Sequence, residues 1–411
     1  MRILVIAQLF PPDMGGGSTR AFNAVKGLIS RGHRVTVVTA FPHYPTGKIP
    51  GKYKRKMISV ETLGKAKVFR AWVPPVASKG VARRLVLFFS FIFSSLFALP
   101  FVGRVNVIWA TNPNVLSVYS ALVYSFFKKC PIVQNVDDLW PEELYNLEIL
   151  KSRILRKIAE RVSRLSYALS EAVTPISPAY VDVIVNKYEV NSQRVHVVPA
   201  GVDLDNFKVF EAKHGKETDV FRVLYIGALS PAYDFDYVLK AAKMISSEQR
   251  IKFVIQGEGE LSDRLRTKIK EASLRNVDVI LKVVSRLEVA EILSSADALL
   301  LPLKKLEYTG ISSKLYEYQA SGKPIVCCAR GQPAQYVSRT GSGIIVDPGD
   351  YESLGKAILL LFNHRDEAKK LGDAGREYVE NNLSCERIGL EIEKVFKITL
   401  ERNAKEKLLI Q

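Results

Sequence analysis

Short apolar runs alternate with longer amphipathic patterns along most of this chain. In the first half, five runs predict buried parallel strands: Arg2–Gln8, Arg34–Thr39, Val105–Ala110, Ile132–Asn135 and Val195–Pro199. Patterns of helical period lie between them, for example over Thr19–Ser30 and Ser152–Leu169. Regular alternation of strand and helix predicts the α/β class with doubly wound parallel sheets.

The same alternation starts again after a polar stretch at 201–219. The second series of predicted strands is Phe221–Gly227, Lys252–Gln256, Val277–Leu281, Ala298–Pro302, Ile325–Cys328 and Gly343–Val346. A chain of 411 residues is also long enough for two cores. We therefore predict two Rossmann-like domains, over 1–200 and 201–384, with a cleft between them. A C-terminal helix within 385–411 is expected to pack back toward the first domain.

Charge and cysteine content narrow the possible partners and compartments. The formal net charge is +17, which favours an anionic partner such as nucleic acid, acidic lipid or a phosphorylated substrate. The four cysteines show neither metal-ligand spacing nor a plausible disulfide framework, and this suits a reducing cytosol. The start of the chain, Met1–Ala7, has the pattern of a short strand and lacks that of a signal peptide. We expect a cytoplasmic protein.

The most informative stretch begins at Gly310 and ends near Pro324. A loop of small residues, Gly310–Ser313, meets a predicted helix start at Lys314, and Glu317 follows about one turn later. Free amides at a helix N-terminus form an anion site, and Lys314 adds a positive charge. Because Glu317 could accept hydrogen bonds from a diol such as a ribose, the stretch indicates a binding site for a sugar nucleotide.

Further candidates follow the other strands of the second half. Gly227 and Gly257 each follow a predicted strand, and Lys282–Val283 and Arg286 follow a third. Ligands of open parallel sheets lie beyond the carboxyl ends of the strands. Lys282 and Val283 could hold a base through their backbone. Arg286 suits a phosphate, although a solvated helix start explains it nearly as well.

In the first half, Gly15–Gly17 follows the first strand and precedes a predicted helix. This is not the dinucleotide GxGxxG pattern, so a tight turn or a phosphate or sugar contact remains. Asp138 follows a later strand beside Trp140. It could orient an acceptor or donor hydroxyl, or it could cap the helix that starts near Pro141.

Together these segments resemble the retaining GT-B glycosyltransferases of the family-four type. The resemblance is strongest to the subgroup that extends lipid-linked O-antigen, capsule or exopolysaccharide precursors. The matching segments are Pro11–Pro12 with Gly15–Gly17, Gly32–Thr39, Phe41–Lys48, Asp138–Glu142, Pro199–Asp203 with Phe207, Gly257–Gly259 and Ser313–Pro324.

The resemblance implies that the first domain binds the acceptor and the second binds a nucleotide-diphosphate sugar, most often UDP-linked. It implies transfer with retention, without a metal or other cofactor, to a polyprenyl-diphosphate-linked or other glycan acceptor. The assigned catalytic residues are Asp138, Lys314 and Arg286. The donor-binding residues are Gly16, Gly17, Gly227, Gly257, Lys282, Val283, Thr309, Gly310, Ile311, Ser312, Ser313 and Glu317. The acceptor-binding residues are Arg20, His43 and Tyr44.

This sequence departs from the family pattern at three positions. Thr309 stands where the first Glu of a spaced pair is expected, and Ala228 and Tyr233 replace an Arg and a Lys found in many members. A departing diphosphate needs preorganised positive charge. We expect Lys314 and Arg286, with Arg20, to provide it.

An apolar stretch at Leu85–Val102 follows a strongly basic region. Between Lys48 and Arg84 there are eleven basic residues and one acidic residue. A Phe-rich helix with basic flanks suggests docking on an anionic leaflet; a buried helix beside a solvated basic loop and a membrane span are the alternatives. The expected membrane contacts are Arg83, Arg84, Phe88, Phe89 and Phe91, at the inner face of the cell membrane.

Two other functions share this layout. A sugar-nucleotide 2-epimerase would need acid and base carboxylates and histidines in the cleft, and the sequence pattern does not indicate such a set. A non-catalytic nucleotide-sugar-binding partner of another transferase would fit the three departures. Nucleic-acid binding is disfavoured, because the basic residues adjoin an apolar helix and not a base-stacking surface.

Overall fold

The computed structural model describes residues 1–44, 46–76, 81–111, 116–146, 150–208, 219–305 and 310–410. The chain divides into two compact units. The first unit is Met1–Gly201 with Cys385–Gln411, and the second unit is Val202–Ser384.

The first unit is built on a seven-stranded sheet. Its strands are β1 (Arg2–Ala7), β2 (Arg34–Ala40), β3 (Ile58–Leu63), β4 (Ala66–Ala71), β5 (Val107–Thr111), β6 (Ile132–Val136) and β7 (Ala172–Pro175). They lie in the order β3-β4-β2-β1-β5-β6-β7. The β3–β4 pair is antiparallel, and the other described pairs of this sheet are parallel.

The predicted strand at Val195–Pro199 is wrong. The sheet ends with β7. The segment after it runs along β7 without forming a strand: Val195 bridges Val173, and the amides of His196 and Val198 donate to the carbonyl oxygens of Val173 and Pro175. Pro199 has no N–H to donate to a ladder. The carbonyl oxygens of Val198 and Pro199 instead accept hydrogen bonds from the Arg20 side chain.

The helices of the first unit lie between these strands. They are α1 (Gly16–Ser30), α2 (Val81–Ser95), α3 (Ser117–Lys128), α4 (Glu142–Asn146), α5 (Arg153–Ala168) and α6 (Ala179–Asp182), with a 3₁₀ segment at Leu96–Phe101 and a π segment at Val183–Lys187. Two of them were predicted from their periodicity within a few residues, α1 and α5. In α2, Leu87 and Phe91 join the buried core that the sheet forms with Leu4, Val38 and Ile108.

A single helix of the last segment, α15 (Cys385–Ile410), completes the first unit. It crosses α1 at two glycines. A Cβ on Gly27 would lie 1.9 Å from the carbonyl oxygen of Cys385, and a Cβ on Gly389 would lie 2.3 Å from the Gly27 backbone. The two helix backbones therefore touch where neither residue carries a side chain.

The second unit contains a six-stranded sheet whose described pairs are all parallel. Its strands are β8 (Phe221–Ile226), β9 (Ile251–Gln256), β10 (Val277–Ile280), β11 (Ala298–Pro302), β12 (Ile325–Cys328) and β13 (Gly343–Val346), in the order β10-β9-β8-β11-β12-β13. Its helices are α7 (Asp205–Lys208), α8 (Asp236–Met244), α9 (Ser262–Glu271), α10 (Arg286–Ser294), α11 (Ser313–Ala320), α12 (Gln332–Thr340), α13 (Tyr351–Asn363) and α14 (Arg365–Asn382).

Both sheets have helices between successive parallel strands, which confirms the predicted α/β class with two Rossmann-like folds. The six strands predicted for the second half are all present. The hairpin of β3 and β4 was not predicted, because β3 is largely exposed and its residues do not form an apolar run.

Candidate functional site

The carboxyl ends of β8, β9, β10 and β11 lie at one edge of the second sheet, because these strands are parallel. The loops that follow β8 and β9 are in backbone contact. Gly227 donates its N–H to Gln256 O at 2.9 Å, and a Cβ on Gly257 would lie 1.8 Å from Gly227 O. Glycine is required at position 257 for this approach, where φ is +146°. The structure thus brings together two of the predicted donor-binding glycines.

Lys314 lies directly against the first of these loops. A Cβ on Gly227 would be 2.1 Å from Lys314 Cε and 2.7 Å from its Nζ. Lys314 is the second residue of α11, whose N-cap residue Ser312 accepts a hydrogen bond from the Lys314 amide at 3.4 Å. The ammonium group and the helix N-terminus therefore contribute positive charge to the same place.

The ammonium group of Lys314 also contacts an aromatic ring. Lys314 Nζ lies 5.3 Å from the centroid of the Tyr233 ring, within the range of a cation–π contact. Tyr233 in turn packs edge-to-face on Tyr225, with centroids 5.2 Å apart, and Tyr225 donates its hydroxyl to Ala228 O at 2.6 Å. Sequence reasoning noticed Tyr233 only as a departure from the family pattern and missed this contact.

Glu317 is half-buried on α11, one turn after Lys314. Burial raises the pKa of its carboxyl, while the positive charges of Lys314 and Arg286 act in the opposite direction. Lys314, Arg286 and Glu317 therefore interact electrostatically, as expected for three residues assigned to one ligand. A carboxylate in this setting can accept hydrogen bonds from a neutral diol.

Arg286 is the first residue of α10. The start of this helix is fixed by a capping box, in which Ser285 accepts from the Glu288 amide and Glu288 accepts from the Ser285 amide. Lys282 is exposed and pairs with Glu288 at 3.3 Å, and Val283 is exposed too. A role for Lys282 and Val283 through their backbone remains a prediction.

Gly310, Ser312 and Ser313 are half-buried and Ile311 is buried, so this loop presents backbone and hydroxyl groups at the start of α11. Thr309 lies outside the described residues, as do the three residues before it.

In the first unit, a buried carboxylate organises the loops after β1 and β2. Asp13 Oδ1 accepts hydrogen bonds from the amides of His43 and Tyr44, each at 2.8 Å. Burial raises the pKa of Asp13, whereas the charge of His43 and the hydrogen bonds from these two amides act to lower it. Residue Gly15 approaches the Tyr44 ring so closely that a Cβ would lie 3.2 Å from it. Gly16 and Gly17 follow as the first residues of α1, with exposed or half-buried backbone.

These contacts change the prediction for the acceptor residues. His43 is 3% exposed, and its Nδ1 lies 2.8 Å from Phe41 O. This burial argues against a direct acceptor contact, whereas half-buried Tyr44 keeps part of its surface accessible.

Arg20 was assigned to the acceptor and to diphosphate charge, and its surroundings contradict that assignment. It is 2% exposed, donates to Asn135 Oδ1 at 2.9 Å and faces Asp137 Oδ1 at 3.4 Å. Asp137 also accepts from Asn135 at 2.7 Å and from the Thr111 hydroxyl at 3.0 Å. The guanidinium is thus the partner of a buried carboxylate, because an unpaired charge there would be costly.

Asp138, in contrast, is half-buried and follows the same strand, β6. Burial raises its pKa to about 6, and the positive charge of Arg84 lowers it. Burial raises the pKa of Glu143, and the nearby negative charge of Asp138 raises it further. Sequence reasoning missed Glu143, whose position in the Pro-Glu-Glu start of α4 indicated only a helix N-terminus.

The predicted membrane contacts in α2 fall on different faces. Phe91 is fully buried in the core, so its assignment is wrong. Phe89 is 51% exposed, Phe88 is half-buried and Arg83 is exposed. Arg84 is half-buried and acts on Asp138, which turns it toward the β6 loop.

By length and composition, one helical segment of the described chain could cross a membrane, Arg83–Phe101, of which 28% is buried in the fold. The core position of Leu87 and Phe91 is the arrangement of a helix that covers a sheet with one face. Among the described residues, no group of three or more His, Cys, Asp or Glu side chains could hold a metal ion.

Two family models match this chain. The model described as Glycosyltransferase Family 4 matches residues 14–206, and the one described as Glycosyl transferases group 1 matches residues 206–378.

Similar curated proteins come from several organisms. An MMP alpha-(1->4)-mannosyltransferase of Mycolicibacterium hassiacum is 25% identical over 60% of this chain and 58% of its own length. An uncharacterised glycosyltransferase of Methanocaldococcus jannaschii is 22% identical over 98% of this chain and 99% of its own. The O-antigen chain mannosyltransferase C of Escherichia coli is 20% identical over 94% of this chain and 95% of its own.

Among solved structures, a sucrose-phosphate synthase from Thermosynechococcus elongatus matches with a TM-score of 0.77. It is 16% identical, and the match covers 98% of this chain and 100% of that one. At this identity the likeness concerns the fold.

Proposed function

This chain belongs to the GT-B glycosyltransferases of the family-four type, and we propose that its donor is a nucleotide-diphosphate sugar, UDP-linked. The proposed acceptor is a lipid-linked glycan, and the new glycosidic bond keeps the anomeric configuration of the donor. Relatives include an O-antigen chain mannosyltransferase, and we place this reaction in the synthesis of cell-surface polysaccharide or glycolipid.

The observation that carries the donor proposal is the contact of Lys314 with the Gly227 loop at the N-terminus of α11. In the proposed reaction the bond between the sugar C1 and the diphosphate breaks, and negative charge grows on the departing oxygen. Lys314 Nζ, the amides that start α11 and the Arg286 guanidinium stabilise that charge. Preorganised donors of this kind supply a large share of transition-state stabilisation.

Glu317 is proposed to accept hydrogen bonds from the two ribose hydroxyls of the nucleotide. Its half-buried carboxyl lies one turn from Lys314 and carries the opposite charge. Lys314 and Arg286 favour its ionised form, which has acceptor sites for two hydroxyl donors.

Asp138 is proposed to orient the acceptor hydroxyl. Of the two successive aspartates after β6, Asp137 already accepts hydrogen bonds from Asn135 and Thr111 and faces Arg20. Asp138 is the more accessible one. As the hydroxyl oxygen bonds to C1, its proton leaves for the departing diphosphate, and the transfer needs no metal.

We also propose that the protein works at the inner face of the cell membrane. The outward face of α2 and the following 3₁₀ segment exposes Phe89, Phe93, Phe97 and Phe101 by 51–67%. The strongly basic region before α2 suits an anionic leaflet. A polyprenyl-diphosphate-linked acceptor would be presented at that surface.

The test is a transfer assay with purified protein, a panel of UDP- and GDP-sugars, and a membrane extract as acceptor, with and without EDTA. The expected result is EDTA-resistant transfer of one sugar from a UDP-sugar into the lipid fraction, at a rate that Lys314→Ala lowers by about 100-fold or more. Donor binding without transfer to any acceptor would support the non-catalytic alternative, to which Ala228 and Tyr233 point. Formation of an isomeric UDP-sugar without acceptor would support the epimerase alternative. Either result contradicts the proposal.

A further inference from the structure

Helix α5 has large apolar side chains on its outer surface. Ile154 is 72% exposed, Ile158 is 52% exposed and Leu165 is 50% exposed. These residues recur at i, i+4 and i+11, so they form one stripe along the helix. A helix on the surface of a soluble domain normally turns such a stripe inward.

The inner face of α5 is already occupied by a different set of residues. Ala159, Ser163, Ser166 and Tyr167 are buried, and the Ser163 hydroxyl donates to Trp140 O at 2.9 Å. Small side chains allow the helix to lie close to the rest of the unit. The apolar stripe is therefore a second face, which the fold of the first unit leaves uncovered.

A basic stripe runs beside the apolar one. Arg153, Lys157 and Arg161 are exposed, and their i, i+4 and i+8 spacing places them on one side of α5. From Lys151 to Leu169 there are six basic residues and one acidic residue, Glu160. Glu160 is already paired with Lys187 at 2.8 Å, so the outer surface of this helix is strongly positive.

The neighbouring helix α3 also exposes large apolar side chains. At the end of α3, Phe126 is 78% exposed and Phe127 is 62% exposed. The Tyr119 hydroxyl of α3 donates to Val162 O of α5 at 2.9 Å, and the Tyr124 hydroxyl donates to Ser95 O of α2 at 2.6 Å. Helix α3 therefore lies between α2 and α5 in one layer.

We propose that the α5 stripe and the Phe126–Phe127 pair form a second lipid-contacting surface that inserts into an anionic leaflet. An apolar stripe beside a basic one is the pattern of a helix lying in a membrane interface. The apolar side chains enter the acyl boundary, while Arg153, Lys157 and Arg161 reach lipid phosphates. In a symmetric contact with a second copy, the two basic stripes would repel each other, so charge favours lipid.

This inference shares only the membrane location with the proposed function, and it concerns residues outside the proposed donor and acceptor sites. The test is co-sedimentation of the full chain with vesicles of phosphatidylcholine alone or of an equimolar mixture with phosphatidylglycerol. The main variant is Ile154→Ser/Ile158→Ser/Leu165→Ser. The matched control is Ile398→Ser, an exposed apolar residue of α15, which packs on α1.

The wild type should bind the anionic vesicles, and the serine variant should lower the partition coefficient by about tenfold or more. The charge variant Arg153→Glu/Lys157→Glu/Arg161→Glu should lose binding to anionic vesicles by at least as much. It changes only exposed side chains and keeps the test decisive if the serine variant is unstable. Ile398→Ser should bind like the wild type, and both α5 variants should keep transfer to a soluble acceptor.

Several results would overturn the inference. Equal vesicle binding by the wild type and both α5 variants would overturn it but leave the α2 proposal standing. The variant Phe93→Ser/Phe97→Ser would then show whether α2 binds the membrane alone. Absence of vesicle binding by the wild type would remove both membrane surfaces without affecting the transfer assay. Self-association that the α5 variants abolish, without vesicle binding, would assign the surface to a second copy.

Discussion

Lys314 Nζ lies 5.3 Å from the centroid of the Tyr233 ring. Tyr233 occupies a position where many members of the family have a cation. The ring is 8% exposed and is fixed by its packing on Tyr225 and Phe235. The electron-rich face of this ring attracts the ammonium group of Lys314, whereas a positive charge at position 233 would repel it. We infer that Lys314, together with Arg286, takes the place of the cations that many family members have at positions 228 and 233.

Replacing this lysine tests its catalytic assignment. Lys314→Ala should lower kcat by about 100-fold or more, because charge stabilisation of a leaving group acts mainly in the transition state. Steady-state transfer rates with a saturating donor measure this. Lys240→Ala is the control, since Lys240 makes a similar contact with the Tyr351 ring at 5.9 Å. Unchanged kcat in Lys314→Ala would refute the assignment.

The aromatic face is tested by two substitutions at one position. Tyr233→Phe keeps the ring and should retain most of the activity, whereas Tyr233→Leu should lower kcat by roughly 3- to 30-fold, the range of a partly desolvated cation–π contact. Thermal unfolding of both variants separates positioning from folding. If Phe and Leu variants were equally active and equally stable, Tyr233 would not position Lys314.

Gly227→Ala should displace Lys314 without removing it. The new Cβ would fall 2.1 Å from Lys314 Cε, and φ of +148° adds backbone strain. The lysine must move, so we expect lower kcat with nucleotide affinity, measured by calorimetry, reduced less than in Lys314→Ala. Gly103→Ala, with open space around its Cβ position, is the control. Wild-type kcat in Gly227→Ala would contradict this.

The correction for Arg20 leads to a stability prediction. Arg20→Met should lower the free energy of unfolding by about 3–5 kcal/mol, since it breaks a buried ion pair and leaves the carbonyl oxygens of Val198 and Pro199 without their donor. Urea unfolding measures the effect, and Arg104→Met, at an exposed position, is the comparison. An Arg20→Met protein of normal stability but raised acceptor KM would instead restore the acceptor assignment.

The attachment of α15 to α1 should weaken in acid. Hydrogen bonds from Lys397 and Arg31 lower the pKa of Glu393 to about 2, although burial opposes this. An acid whose pKa is lower in the folded than in the unfolded protein stabilises the fold above its unfolded pKa. That stability is lost as pH falls from about 4.5 toward 2.

Glu393→Gln should therefore reduce stability at pH 7 and flatten the loss between these pH values. Urea unfolding over a pH series measures both effects. Glu386→Gln, a change in the first turn of the same helix, serves as the matched control. An identical pH dependence in Glu393→Gln and wild type would show that Glu393 has no such role.

The local geometry of the proposed donor site was predictable from the sequence. Gly227 and Gly257 each follow an apolar run, and Lys314 and Glu317 are one helical turn apart, so strand ends and helix period suffice to place them. The contact between Lys314 and Tyr233 was not predictable, because it joins the start of α11 to the loop after β8, and only the order of strands in the sheet brings these two segments together. The pairing of Arg20 with Asp137 has the same origin, and its absence from the sequence analysis led to the wrong acceptor assignment.

The α/β class, both sheets, and helices such as α1 and α5 follow from the hydrophobic pattern alone, because the period and length of an apolar run are local properties. Which face of α2 and α5 turns inward depends instead on how each helix packs in the folded unit. Both helices carry apolar residues on more than one side. A helical period shows which residues share a face but not which face is buried, so the sequence could not show that Phe91 is inside and Phe93 outside. Packing against the sheet makes that choice, and it leaves the outer stripes of α2 and α5 exposed.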